Sequence, residues 1–203
     1  MFLSLWKIGI KDCKLLRLED AYSIHRIVYS LFPKLPAENR DFLFFDKGFE
    51  KGIRKILILS KRKPENTKIG NLEAKEVSDS FLEFDNYAFE ILLNPVKRNG
   101  KTQNTIPVIG KENLIKWFIE KSPQWGFETD EQSLTLEKIF VQEFKKGNQN
   151  SNYTFSSVLF KGKLKVVDRN LFIKSFKEGI GKGKAFGFGL LQIIPIQIQK
   201  EEK

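Results

Sequence analysis

Apolar and polar positions along this chain change period several times, and each change marks an element. Phe2 to Ile10 alternates loosely and predicts a strand. From Glu19 to Phe32 the apolar residues Ala21, Ile24, Val28 and Leu31 recur at spacings of three and four. That predicts the clearest helix in the chain, with Asp20 as its cap and Pro33 as its stop. Phe42–Phe45 and Ile53–Ser60 are short apolar runs that read as strands, with a turn over Lys47–Lys51 between them. Asn66–Asn71 is a loop and Leu72–Val77 another short strand. A second unit begins near Asp85. Tyr87–Val96 reads as a strand, Arg98–Thr105 as a hairpin-like turn around Asn99-Gly100, and Ile106–Ile109 as a short strand. Lys111–Lys121 is helical, with Leu114, Trp117 and Phe118 toward the core. Leu134–Phe144 and Tyr153–Val167 make a strand pair across the polar loop 145–152. Asp168 caps a helix over Leu171–Glu178, and Leu190–Ile198 is the last strand.

Both halves therefore run strand, helix, strands, helix or loop, strand. This is the β-α-β-β-α-β order of a ferredoxin-like unit, met twice. The expected class is α+β, with two tandem ferredoxin-like (RRM-like) domains at residues 1–84 and 85–203 and antiparallel sheets; the first half shows its second helix poorly. Sheets of this kind carry helices on one face and leave the other free for nucleic acid. No RNP1-type run is present, so ordinary base stacking on that face is not supported.

Composition narrows the partners. The 203 residues are 41% hydrophobic, enough for a real core, and carry a formal net charge of +10. Such a surplus favours a polyanion, nucleic acid first and an anionic membrane surface second. Cys13 is the sole cysteine, so no internal disulfide forms and a reducing compartment, the cytoplasm, is expected. With one cysteine and one histidine, His25, a zinc site lacks ligands, and no metal or cofactor is expected. No apolar run approaches the roughly 18 residues of a membrane span.

Two stretches carry the chemistry. Gly179-Ile180-Gly181-Lys182-Gly183-Lys184-Ala185-Phe186-Gly187-Phe188-Gly189 joins the last helix to the last strand. Its glycines permit close backbone approach, its N–H groups suit an anion, and Lys182 and Lys184 add charge. The helix-to-strand order and the absence of G-x-x-x-x-G-K-[ST] exclude a P-loop, and a dinucleotide fingerprint fails on the same grounds. A plain flexible connection is the competing reading. On the first long helix, Tyr22, His25 and Tyr29 share one flank beside the apolar stripe, with Arg26 at its solvent edge. His25 at that boundary is expected near its ordinary pKa of about 6.5. It is either a packing histidine or a general acid or base with Tyr22 or Tyr29 beside it. RNA brings its own nucleophile, the 2′-hydroxyl, so one histidine, one tyrosine and some lysines suffice to break it without a metal.

The block Asp20-Ala21-Tyr22-Ser23-Ile24-His25-Arg26, followed by Leu31-Phe32-Pro33 and Arg40-Asp41-Phe42-Leu43-Phe44, resembles the N-terminal signature of the CasE family, the CRISPR-associated endoribonucleases of type I-E systems. Phe89 to Lys97 is similar to that family's strand ending in Asn-Pro-x-Lys. Ile106-Pro107-Val108-Ile109 with Trp117, then Phe160 to Leu164 and Gly179 to Leu191, resemble its later blocks. The resemblance implies tandem ferredoxin-like domains and metal-independent cleavage of CRISPR repeat RNA just 3′ of a stem-loop, leaving a 2′,3′-cyclic phosphate (or 3′-phosphate) and a 5′-hydroxyl. It implies retention on the hairpin and partnership with other Cascade subunits. It assigns His25 as the catalytic histidine with Tyr22 as partner, and the loop with Gly179, Gly181, Gly183, Gly187 and Gly189 as a support that approaches the RNA. Arg26 and Lys97 are expected near phosphates. Lys182 and Lys184 are candidates from the loop, and Lys161, Lys163 and the Lys145-Lys146 pair are candidates by charge. Phe186 and Phe188 either pack inward or stack on a base. The alternatives to the nuclease are a non-catalytic subunit that binds an RNA hairpin and a basic module for membrane surfaces or proteins.

Overall fold

In the computed structural model of the chain, residues 1–33, 40–98, 100, 104–145 and 152–196 are described. The first half runs β1 (Phe2–Gly9), α1 (Ile10–Leu15), α2 (Ala21–Ser30), β2 (Phe42–Glu50), β3 (Ile53–Ser60) and β4 (Asn71–Glu76). Its strands pair antiparallel in the order β2-β3-β1-β4. The second half runs β5 (Asn86–Leu93), a small hairpin of β6 (Val96–Arg98) and β7 (Thr105–Pro107), α3 (Lys111–Lys121), β8 (Phe127–Glu128), β9 (Thr135–Lys145), β10 (Asn152–Val166), α4 (Arg169–Glu178) and β11 (Gln192–Pro195). Its sheet is ordered β11-β5-β10-β8, and β9 pairs with β10 as well. With β8 and β9 taken together as one half's second strand, both sheets have the same order that a β-α-β-β-α-β chain produces. Two ferredoxin-like units in tandem are what the pattern predicts. The one departure is the β3–β4 link, residues 61–70, which contains no helix.

Strand alternation explains how the halves meet. Trp6, Ile8, Phe42, Phe44, Ile56 and Ile58 point to one face and form a core with Ile24, Val28 and Leu31 of α2. The residues between them, Leu43, Phe45 and Leu59, point to the opposite face and join the core of the second half, with Leu92, Leu159 and Leu191. Burial on both faces is why β2 and β3 read as unbroken apolar runs rather than as alternating ones. It also overturns the expectation of a free sheet face for nucleic acid, because the second half covers that face. What remains between the sheets is a cleft of about 690 Å³, walled by Leu57 and Leu59 on one side and Ala88 and Ile193 on the other. Lys47 and Lys161 both reach Glu90 in this cleft, at 3.5 and 3.2 Å. An apolar cleft in which these two lysines are already held by Glu90 offers little to a phosphate backbone.

Local differences have local causes. α1 was not legible: six residues with only Cys13 buried carry no helical period. The predicted turn over Lys47–Lys51 lies within β2, which bulges between Asp46 and Gly48 and continues to Glu50. The chain reverses instead at Lys51-Gly52, both at positive φ (51° and 78°), the geometry of a tight two-residue hairpin. The strand expected over Tyr87–Val96 breaks after Leu93, and Val96–Arg98 pairs with Thr105–Pro107. Asn99 and residues 101–103, at the tip of that expected turn, lie outside the described residues, as do 146–151 and 197–203.

The glycine loop is pinned at its base. Ile180 N–H donates to the Gly189 carbonyl at 2.9 Å, and Gly189 N–H donates to that of Leu92 at 2.8 Å. Gly189 has φ +80°, and a Cβ there would stand 2.2 Å from the Ile180 oxygen. Gly52, at φ +78°, has nothing within 4 Å of the same position. Gly52→Ala is therefore expected to cost about 1 kcal/mol of backbone strain. Gly189→Ala adds a backbone clash and should cost more than about 3 kcal/mol. Urea unfolding of the two variants measures the difference.

Candidate active site

The helix that carries His25 is held at both ends. At its start, Asp20 Oδ1 accepts from Ser23 N–H at 2.7 Å, and the Ser23 hydroxyl accepts from Asp20 N–H at 3.1 Å. Beyond its end, Arg62 donates to the carbonyls of Phe32 and Pro33 at 3.0 and 3.1 Å and to Asp41 at 2.9 Å. With Ile24, Val28 and Leu31 buried, the adjacent flank is turned toward the glycine loop of the second half. The three rings gather there as the spacing predicts. His25 lies 6.1 Å from Tyr22, nearly parallel at 17°, and 4.2 Å from Tyr29. Phe186 comes from the glycine loop to 5.7 Å.

The decisive contact is His25 Nδ1 to the Ala185 carbonyl oxygen, 2.6 Å. A carbonyl only accepts, so Nδ1 must carry the hydrogen. In the neutral ring the lone pair then sits on Nε2, the form a general base needs. Burial pushes the His25 pKa below its ordinary value; the Ala185 carbonyl partly opposes this, and the Arg40 guanidinium adds to it. The expectation of an unperturbed boundary histidine is thereby corrected, because the second half covers one side of the ring.

Arg40, just before β2, is a further candidate that the sequence did not single out. Its guanidinium lies against the Tyr29 hydroxyl and within electrostatic reach of His25 and of Lys184. Its signal was present in the Arg40-Asp41-Phe42 block, but nothing in that block says its charge returns to a helix ten residues earlier. The other candidates divide. Lys97 and Lys182, chosen from separate motifs, meet in one groove of about 680 Å³, joined there by Arg98, Lys116 and Lys121. Lys184 is occupied inside the protein, donating to the Glu178 carbonyl at 2.9 Å at the end of α4, and burial lowers its pKa. Lys161 is held charged by Glu137 at 2.8 Å and by Glu90. Lys163 is exposed on the same strand, and Arg26 is exposed with its guanidinium 6.0 Å from the Tyr22 ring centre. Lys146 lies outside the described residues, and the Lys145 side chain is likewise not described. Gly179, Gly181, Gly183, Gly187 and Gly189 all have positive φ. With several of the loop's amides spent on internal bonds, the loop braces His25 more than it cradles an anion. Phe188 packs into the second core, whereas Phe186 faces His25. Among the described residues no group of three or more His, Cys, Asp or Glu is arranged to hold a metal ion, and no described helix is long and apolar enough to cross a membrane.

Comparison with known proteins points the same way. A family model described as CRISPR associated protein matches residues 1–195. The chain is 26% identical over 192 residues to the CRISPR system Cascade subunit CasE of Escherichia coli, covering 87% of this chain and 93% of that protein. It is 29% identical over 115 residues to the CRISPR-associated endoribonuclease Cse3 of Thermus thermophilus, covering 53% and 54%. A solved structure of CRISPR endoribonuclease Cse3 bound to a 19-nucleotide RNA superposes with a TM-score of 0.83 at 20% identity, over 96% of this chain and all of that one.

Because His25 is the only histidine, its titration is directly observable by NMR. Its pKa is expected below 6.5, and Phe186→Ala, which opens one wall of its site, should move it upward. The native state then binds fewer protons than the unfolded chain below pH 6.5. The His25 contribution to stability is therefore present above 6.5 and lost as pH falls through the lowered native value.

Proposed function

This chain belongs to the CasE family of CRISPR-associated proteins, and from that premise we propose that it is an endoribonuclease that cuts CRISPR repeat RNA on the 3′ side of its stem-loop. The observation that carries the reading is the 2.6 Å contact of His25 Nδ1 with the Ala185 carbonyl, which puts the lone pair of the neutral ring on Nε2. Nε2 takes the proton of the 2′-hydroxyl on the nucleotide 5′ of the cut. That oxygen attacks the adjacent phosphorus, the P–O5′ bond breaks, and a 2′,3′-cyclic phosphate and a 5′-hydroxyl result. The oxygen that leaves takes a proton from Tyr22 or from water. The charge that builds on the phosphorane is met by Arg40, which stands beside His25 and Tyr29. No metal enters any step.

The groove of Lys97, Arg98, Lys116, Lys121 and Lys182 supports a duplex partner. It reaches the glycine loop at Lys182, three residues from Ala185, so a stem held there ends near His25 by phosphate contacts alone. We further propose that the protein works in the cytoplasm, keeps the matured RNA and joins Cascade through it.

His25→Ala is expected to lower single-turnover cleavage of a repeat hairpin by about a thousandfold while hairpin affinity changes only a few-fold. Cleavage should persist in EDTA, and a 2′-deoxy nucleotide 5′ of the cut should abolish it. Full cleavage by His25→Ala would sink the assignment, and binding without any cut product would leave a hairpin-binding subunit. The rate at low substrate should rise with pH along an acid limb centred below 6.5. At saturation the midpoint should move upward, because a bound phosphate favours the imidazolium.

A further inference from the structure

A cavity of about 260 Å³ lies between the two halves, one helical turn from His25. We propose that it holds a nucleobase, that of the first unpaired nucleotide on the 3′ side of the cut; this rests on the nuclease reading above. The walls come from both halves. Phe44 and Phe45 of β2 line it together with Leu159 of β10, Phe140 of β9 and Phe186 of the glycine loop. Ala21, one turn before His25 on α2, and Ile24, next to His25 in sequence, also line it. Phe186 belongs to both places, since its ring lines the cavity and lies 5.7 Å from that of His25.

The chemistry selects a base over a phosphate. The lining is mainly apolar and aromatic, and every base offers a flat face to such rings. Of the two charged side chains that also line it, Asp46 would repel a phosphate, and its carboxylate is already engaged by Arg54 at 2.7 Å and Gly48 N–H at 3.0 Å. Lys47 is drawn toward Glu90 at 3.5 Å. Phe140 stands 40% exposed, an aromatic ring left partly in water that a stacked base would cover.

The position of the cut selects the nucleotide. The residue 5′ of the cut closes the hairpin stem, and pairing holds its base. The residue 3′ of it is single-stranded and free to splay outward. Its O5′ is the atom that leaves, so its base is tethered within one nucleotide of His25. Anchoring that base turns O5′ away from the stem and toward the in-line position opposite the attacking 2′-oxygen.

The test uses a repeat hairpin made uncleavable by a 2′-deoxy nucleotide 5′ of the cut, bearing either a base or an abasic residue at the 3′ position. Affinity is read by fluorescence anisotropy with the wild-type protein, Phe140→Ala and Phe140→Trp. Phe140→Ala should weaken the base-bearing RNA about tenfold, while abasic RNA binds both proteins equally and as weakly. Phe140→Trp should restore or exceed wild-type affinity for the base-bearing RNA only. If Phe140→Ala weakens both RNAs alike, or neither, the cavity does not hold this base. That result together with normal cleavage of the all-ribose hairpin overturns the cavity assignment and leaves the nuclease reading standing. A protein that binds the hairpin but cuts no ribose substrate fails the nuclease reading, and the anisotropy comparison still judges the cavity.

Discussion

One hydrogen bond, from the imidazole on α2 to a main-chain carbonyl in the glycine loop, organises the site, and everything else keeps its two ends in register. A neutral bond of this kind contributes only about 1 kcal/mol, far too little to hold two halves together. The shared core does that: Leu43, Phe45 and Leu59 leave the first half's sheet to pack among the apolar side chains of the second. Packing brings the loop to the helix, and the hydrogen bond then chooses the tautomer. The division matters because packing is non-directional and cannot decide which ring nitrogen bears a proton, whereas a carbonyl oxygen can.

The loop's unusual composition follows from that duty. It leaves α4, projects toward α2 and returns to β11 within a few residues, and it is crossed at its base by one bond from Ile180 N–H to the Gly189 carbonyl. Five positive φ values in so short a span are feasible only with glycine. Lys184 completes the brace by closing the end of α4, where the last carbonyls of a helix lack partners within it. A stretch that reads as an anion cradle is thus largely a rigid bracket for a histidine in the other half.

The surplus of positive charge separates in the same way into a part turned inward and a part gathered in one groove. Lys47 and Lys161 converge on Glu90 in the cleft between the sheets, and Lys184 is turned inward. Lys97, Arg98, Lys116, Lys121 and Lys182 are gathered in the groove beside α3. A net charge of +10 implies a polyanionic partner but carries no direction. Direction comes from which cations gather on one outward-facing groove, and that is settled only when segments distant in sequence become neighbours.

Much was legible in the chain itself. Periods of 3.6 and 2 located α2, α3, β3 and β10 closely, and their order implied two ferredoxin-like units, because these patterns depend on near neighbours in sequence. The ring flank of Tyr22, His25 and Tyr29 was legible for the same reason, since residues three and four apart on a helix must share a side. What lay beyond that reach was set by contacts between residues far apart in the chain. The return of Arg40 to Tyr29 and the pairing of Lys161 arise as each half folds on itself, and the covered face of the first sheet and the carbonyl that makes one histidine nitrogen the donor arise when the halves dock. A main-chain carbonyl has no side-chain signature, so sequence alone could name the imidazole but not which nitrogen would be free to take a proton.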